Sequence, residues 1–245
     1  MTKVLVVSSM YPRPDAPGAG IFVHHQALAL RRSGAAVVVL CPVPYAPRVL
    51  WAVRKWQTYG RIPGATTMDG IRVYYPRALA LPRELLLPLG GWLHFLALWA
   101  CVTRHSDLMR FADVIHAHGA LPAGFGSVLL GRRLQRPVLV TVHGRDLNKT
   151  IETGVLNRWA VSWALANCDH VALVSSRLAE IATRELAIDR SRCTVVHNGG
   201  ADEAVRVRDR RNAAVGPTMP EKGKRFILSV GNLIESKGHG DLLAA

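Results

Sequence analysis

Four short constellations in this chain carry residue types suited to chemistry. His116-Ala117-His118 sets two imidazoles at a spacing of two, which on a strand places both on one face. A metal pair would need a third ligand, and no carboxylate or cysteine accompanies them, so hydrogen-bonding or core histidines are the competing reading. Thr141-Val142-His143-Gly144-Arg145-Asp146 brings a hydroxyl, an imidazole, a glycine, a cation and an acid to one place. Those groups suit hydroxyl recognition and local charge stabilisation, with a salt-bridged loop as the plainer account of Arg145. Gly18-Ala19-Gly20 stands just before a helical pattern from Ile21, where glycine lets backbone approach a diphosphate and the helix N-terminus favours its charge. The dinucleotide fingerprint is absent, because Phe22 and Val23 follow Ile21 and the run from Ser9 is too long for a nicotinamide site; a flexible turn is the alternative. Val230-Gly231-Asn232 with Ser236-Lys237-Gly238 sets a turn amide and a lysine where a phosphate would lie, unless Lys237 is simply a surface residue.

The elements that must position these groups are legible as short apolar, β-branched runs alternating with helical patterns. Strands are expected at Val4–Ser8, Ala36–Cys41, Ile71–Tyr75, Val114–Ala117, Val138–Val142, Val171–Val174, Thr194–His197 and Phe226–Val230. Helices are expected at Ile21–Ser33, Pro82–Arg110, Pro122–Leu134, Glu152–Asn167, Arg177–Leu186 and from His239, with Gly34 as a C′ glycine and Pro122 as an N1 proline. Runs that are apolar on both faces, separated by helices, imply an α/β fold with a doubly wound parallel sheet. In such sheets ligands bind outside the carboxyl ends of the strands. That rule selects the loop Ser9–Gly20, the two histidine segments, Ser175-Ser176 and His197-Asn198-Gly199 through Asp202 as one converging cleft. Pro42–Gly70 is weakly periodic and reads as an excursion or mobile loop, while the polar, basic Asp202–Arg225 reads as a linker. Beyond it, Phe226–Ala245 reads as the strand, glycine turn and first helix of a second domain, inside which the chain ends.

Composition narrows the partners. The 245 residues carry 31 Lys and Arg against 17 Asp and Glu, a net charge of +14, which favours nucleic acid, phosphorylated ligands or an acidic membrane face. The cations are scattered, so a solvated Arg-rich surface is an equal account of them. Four widely spaced cysteines, with no metal-binding spacing, suit a reducing cytosol, and Met1–Ser9 reads as a strand rather than a signal peptide. Leu85–Val102 is free of charge but contains Pro88, Gly90, Gly91 and His94, which favours a buried or membrane-facing helix over a span. Trp51–Arg61 interleaves aromatics with cations as interfacial segments do, so peripheral contact with anionic membrane is expected there through Arg54, Lys55 and Arg61.

Taken together and in order, these motifs resemble the N-terminal half of the family 4 retaining glycosyltransferases of GT-B fold. The resemblance rests on Ser9-Met10-Tyr11-Pro12 with Pro17–Phe22, His116-Ala117-His118, Thr141–Gly144, Val174-Ser175, Asn198-Gly199 ending in Asp202, and Ser229–Leu233 with Lys237-Gly238. The opening and closing motifs look most like the branch that builds exopolysaccharides and teichuronic-acid-type surface polymers. The resemblance implies a Rossmann-like acceptor-side domain over 1–202, a linker over 203–224 and the start of a donor-binding domain over 225–245. It implies transfer of a sugar, with retention, from a nucleotide sugar to a lipid-linked or polysaccharide acceptor. His118 and His143 would be the catalytic residues. Gly18, Gly20, Gly144, Arg145, Asp146, Ser175, Asn198, Gly199, Asn232 and Lys237 would bind donor or acceptor. Asn232 stands where the family usually has arginine, so Lys237 would be the principal cation on the leaving diphosphate. No metal or other cofactor is called for, and the location would be the cytoplasm or the inner face of the cell membrane. Residues 1–245 alone are expected to be inactive. A non-catalytic, membrane-associated module of the same fold is the alternative; a nucleic-acid-binding role ranks last, for want of a recognised binding fold.

Overall fold

The computed structural model describes residues 1–13, 15–79, 87–199, 229, 235 and 238–244. By contacts the chain divides into two compact units, Met1–Gly199 and Gly200–Ala245. Among the described residues of the first, an eight-stranded sheet runs in the order β10-β9-β8-β7-β1-β2-β5-β4. These strands are β1 (Lys3–Ser8), β2 (Ala36–Leu40), β4 (Ala65–Met68), β5 (Ile71–Tyr74), β7 (Val114–His118), β8 (Val138–Val142), β9 (His170–Leu173) and β10 (Cys193–Val195). Every neighbouring pair is parallel except β4–β5. A separate parallel pair joins β3 (Val43–Pro44) to β6 (Arg77–Ala78).

Alternation along the central strands explains why both faces must be covered. In β1, Leu5 and Val7 enter one apolar cluster while Val4 and Val6 enter the other. Helices α3 (Leu87–Arg104), α5 (Phe125–Leu134), α7 (Val155–Asn167) and α8 (Ser176–Glu185) cover the first cluster, and α1 (Ile21–Arg32) covers the second. Each fully buried aliphatic side chain, such as Leu5, Leu40 or Ile115, contributes about 1.5–3 kcal/mol over leaving it in water. The same alternation frees one face of β7: Ile115 and Ala117 pack into the core, so His116 and His118 point the other way.

Strand β1 is flanked by β2 on one side and β7 on the other, so the chain reverses its direction of sheet growth between β1 and β7. The carboxyl ends of these two strands therefore open the crevice in which α/β sheets bind ligands.

Three expectations are corrected. Residues 42–70 are not a mobile excursion: they hold β3, a 3-10 turn at Arg48–Leu50, helix α2 (Arg54–Arg61) and β4. There, Trp51 donates from Nε1 to the Ala46 carbonyl at 3.0 Å and lies on Gly60, leaving no room for a side chain at that position. The helix read as Pro82–Arg110 is interrupted at His105, whose φ of −114° and ψ of 80° are not helical, and a short α4 (Ser106–Phe111) follows. Pro122 does not open α5. Leu121 before it is extended (φ −128°, ψ 141°), as a residue preceding proline prefers, and a wide turn over Ala120–Gly124 precedes the helix. No helix among the described residues is long and apolar enough to cross a membrane. The expected linker, strand Phe226–Val230, Asn232 and Lys237 lie outside the described residues. In the second unit a helix runs over His239–Ala244, with Ser229 Oγ 2.9 Å from His239 Nδ1.

Candidate active site

The crevice at the carboxyl ends of β1, β7 and β8 holds a cavity of about 180 Å³ lined by Ser8, Ser9, Phe22, His118, His143 and Arg145, among others. A second cavity of about 250 Å³ shares Ser9 and Pro122 with it. Each wall follows from local sequence. Register pairs Ser8 with His118 and His118 with Thr141, so three consecutive sheet neighbours present polar side chains at one level.

A buried histidine cluster forms the floor. His118 Nδ1 lies 2.9 Å from His143 Nε2, and the two rings stack with centroids 5.2 Å apart. His116 Nε2 lies 2.8 Å from Thr141 Oγ1, and its ring sits 4.3 Å from that of His118. Burial pushes His116 and His143 down to about 4, with the neighbouring imidazole of His143 adding to the effect on His116. Burial, reinforced by both neighbours, holds His118 well below the ordinary imidazole range. All three are therefore neutral at pH 7, and the single proton between His118 and His143 has two positions. If His118 Nδ1 donates, its Nε2 is an acceptor and His143 Nδ1 carries the outer proton. If His143 Nε2 donates, those roles exchange. His143 Nδ1 is buried without a hydrogen-bond partner, as is expected of a group whose partner arrives with a ligand. Phe22 packs on His143 at a centroid distance of 4.6 Å and fixes its plane.

Opposite stands the start of α1. Its first turn carries no acidic side chain, and Phe22 and Val23 line the cavity. The dipole and amide ends there favour an anion. Gly20 takes φ +64°, and a Cβ on it would stand 2.3 Å from the Met10 carbonyl oxygen, so the loop after β1 requires glycine. That loop is tied down elsewhere: Tyr11 Oη lies 2.6 Å from His24 Nδ1, and His24 Nε2 lies 2.8 Å from Asp69. Ser9 Oγ sits 3.3 Å from His94 Nε2 on α3, another histidine that burial pushes down to about 4.

The expected residues separate into three groups. His118, His143, Arg145 and Asp146 line the cavity together, and Gly144 turns the chain beside them at φ +111° to open the short helix α6 (Arg145–Asn148). Asp146 faces inward to the fold as well: its carboxylate accepts from Ala120 N–H at 2.9 Å and Leu121 N–H at 3.2 Å, closing the turn after β7. Burial raises its pKa, against the opposing pull of those two amides and of Arg145. Gly18 is exposed with open space around it, and Ser175 caps α8 by accepting from Leu178 N–H. Asn198 and Gly199 are exposed at the end of the first unit and do not line the cavity. Thr150 and the His94–Ser9 contact are revealed only by spatial convergence, as is the packing of Phe22, a residue of the opening motif, on His143. Among the described residues, no three His, Cys, Asp or Glu side chains come together as a metal site.

The model of the glycosyl transferase 4-like domain matches residues 17–199. The teichuronic acid biosynthesis glycosyltransferase TuaC of Bacillus subtilis is 29% identical over 194 residues, 77% of this chain and 48% of that one. Glycogen synthase of Mycobacterium tuberculosis is 26% identical over 258 residues, 99% of this chain and 57% of that one. The chain thus spans about half the length of these two relatives. Among solved structures, the UDP-N-acetylglucosamine 2-epimerase of Rickettsia bellii superposes with a TM-score of 0.51 at 11% identity, over 81% of this chain and 45% of that one. That likeness concerns the fold, a Rossmann-like α/β unit of GT-B type.

Proposed function

The chain belongs to the glycosyl transferase 4-like domain family, and we propose that it is the acceptor-side part of a retaining glycosyltransferase. It would move a sugar from a nucleotide sugar to a lipid-linked or polysaccharide acceptor in cell-surface polysaccharide synthesis. The observation that carries this reading is the neutral His118–His143 pair facing the unacidified start of α1 across one small cavity. Breaking the bond between a sugar and a nucleoside diphosphate develops negative charge on the leaving group. The α1 amides and dipole and Arg145 would offset that charge, so the reading calls for no metal. His118 Nε2 would bond a sugar hydroxyl, and the mobile proton of the pair lets it serve as donor or acceptor as the transition state requires. Same-face attack would give retention without a pair of carboxylates. The name of the Bacillus subtilis relative supports the surface-polymer role.

Peripheral contact with an anionic membrane on its cytoplasmic face belongs to the same proposal. Arg54, Lys55 and Arg61 are exposed on α2. Exposed Trp92 and Leu96 on α3 and Trp159 on α7 add an apolar face, joined through Phe125 at ring distances of 6.1 and 6.4 Å. The test is transfer by the full-length protein from a nucleotide sugar to an undecaprenyl-phosphate-linked glycan. Turnover that falls about 100-fold or more in His118→Ala supports the assignment. Nucleotide-sugar binding with no transfer would instead make the protein a binding module.

A further inference from the structure

A cleft of about 580 Å³ opens on the far side of β5 from the histidine cluster, between that strand and the last turns of α3. Its volume is in the range of a small-molecule site. Three guanidiniums line it, from Arg72, Arg77 and Arg104, together with Tyr74 and His105. No carboxylate is among the described lining residues, and none of the three arginines forms an ion pair among the described residues. Arg77 donates to the carbonyls of Tyr59, at 2.8 Å, and of Ile62, which orient the guanidinium without neutralising it. Arg72 lies 5.5 Å over the Tyr74 ring, and that ring meets His105 at 4.8 Å. Arg72 and Arg104 are exposed, so an anion entering the cleft can reach both guanidiniums.

Helix α3 contributes side chains both to the cleft and to the candidate active site. Ala97, Cys101 and Arg104 share one face of α3, and His94, one turn before Ala97, lines the 250 Å³ cavity. That cavity in turn shares Ser9 and Pro122 with the cavity of the histidine pair. Ala97 and Ala100 leave the floor of the cleft shallow.

We propose that this cleft holds an acidic glycan, whose carboxylates pair with Arg72, Arg77 and Arg104. A strand of nucleic acid fits less well, because base stacking needs free aromatic faces and Tyr74 is already flanked by Arg72 and His105. Flat, hydroxylated rings carrying spaced carboxylates match a shallow floor beside forked donors. The glycan assignment rests on the transferase reading, since a glycan is the acceptor that reading supplies; the anion site itself does not.

The test measures binding by the full-length protein of a short oligogalacturonate, a maltooligosaccharide of the same length, and inorganic polyphosphate of matched charge. The oligogalacturonate is expected to bind about tenfold or more tighter than either, and Arg72→Ala/Arg104→Ala is expected to abolish that preference. Both arginines are exposed, so the double variant should fold. Equal binding of the neutral oligomer or of polyphosphate, or a preference that survives the double variant, overturns the proposal. Binding with no transfer in the parent protein would defeat the transferase reading while leaving the anion site standing.

Discussion

His118 and His143, brought from neighbouring strands, share one hydrogen bond of 2.9 Å between rings that are both held neutral. Their interaction is a single switch with two ends. A donor at one outer nitrogen obliges an acceptor at the other, so neither ring can be replaced without changing what its partner presents.

The pair should therefore behave as one unit in kinetics. His118→Ala and His143→Ala are each expected to lower kcat of the full-length protein by about 100-fold or more, and the double variant by little beyond the worse single. Additive losses in a double-mutant cycle would show that the rings act separately.

Burial of neutral imidazoles predicts acid sensitivity. The folded-state values of His94 and His116, about 4, lie below the ordinary 6.5, so between these limits the unfolded chain binds more protons than the folded one. Stability is then complete above pH 6.5 and is lost as the pH falls toward 4, at up to about 1.4 kcal/mol per pH unit for each such histidine. Urea midpoints measured from pH 7 to pH 5 should decline. His116→Asn, which can still bond Thr141, should flatten that slope.

The two glycines before α1 should respond differently to a methyl group. Gly20→Ala meets both a positive φ and the Met10 carbonyl, and is expected to cost about 2 kcal/mol or more. Gly18→Ala meets open space and should change stability by less than about 0.5 kcal/mol. Chemical denaturation of both variants decides the matter.

Asp146→Ala would orphan the N–H groups of Ala120 and Leu121 in the interior, at about 2–5 kcal/mol for the two together. Asp146→Asn keeps one acceptor and should lose less. A drop in melting temperature with the order Ala below Asn below parent is expected.

Much of this was legible in the residues themselves. The parallel strands are apolar on both faces and were placed to within a residue or two, because burial on both sides demands Val, Ile and Leu without interruption. The missed hairpin is instructive. Asp69-Gly70 is a two-residue turn with both φ angles positive (46° and 74°), a signal present in the sequence, but Ala65-Thr66-Thr67-Met68 lacks the bulk that marks a strand. In the site, His118 and His143 were found because each ends a strand that the pattern already delimits. His94 could not be found that way: it meets Ser9 across 85 residues of chain, from a helix whose pattern says only that it is buried.

The turn after β7 carries a further consequence. Its amides, Ala120 and Leu121, form the kind of nest that usually captures a phosphate, yet the Asp146 carboxylate already sits in it as an internal counter-ion. Stray phosphate or sulfate from the surroundings meets a filled seat there, and under the proposed function the diphosphate of a donor would be steered to the start of α1 instead. Inorganic phosphate should then inhibit transfer by the parent protein weakly and by Asp146→Asn more strongly. On this view the acid guards selectivity among anions without touching the one that reacts.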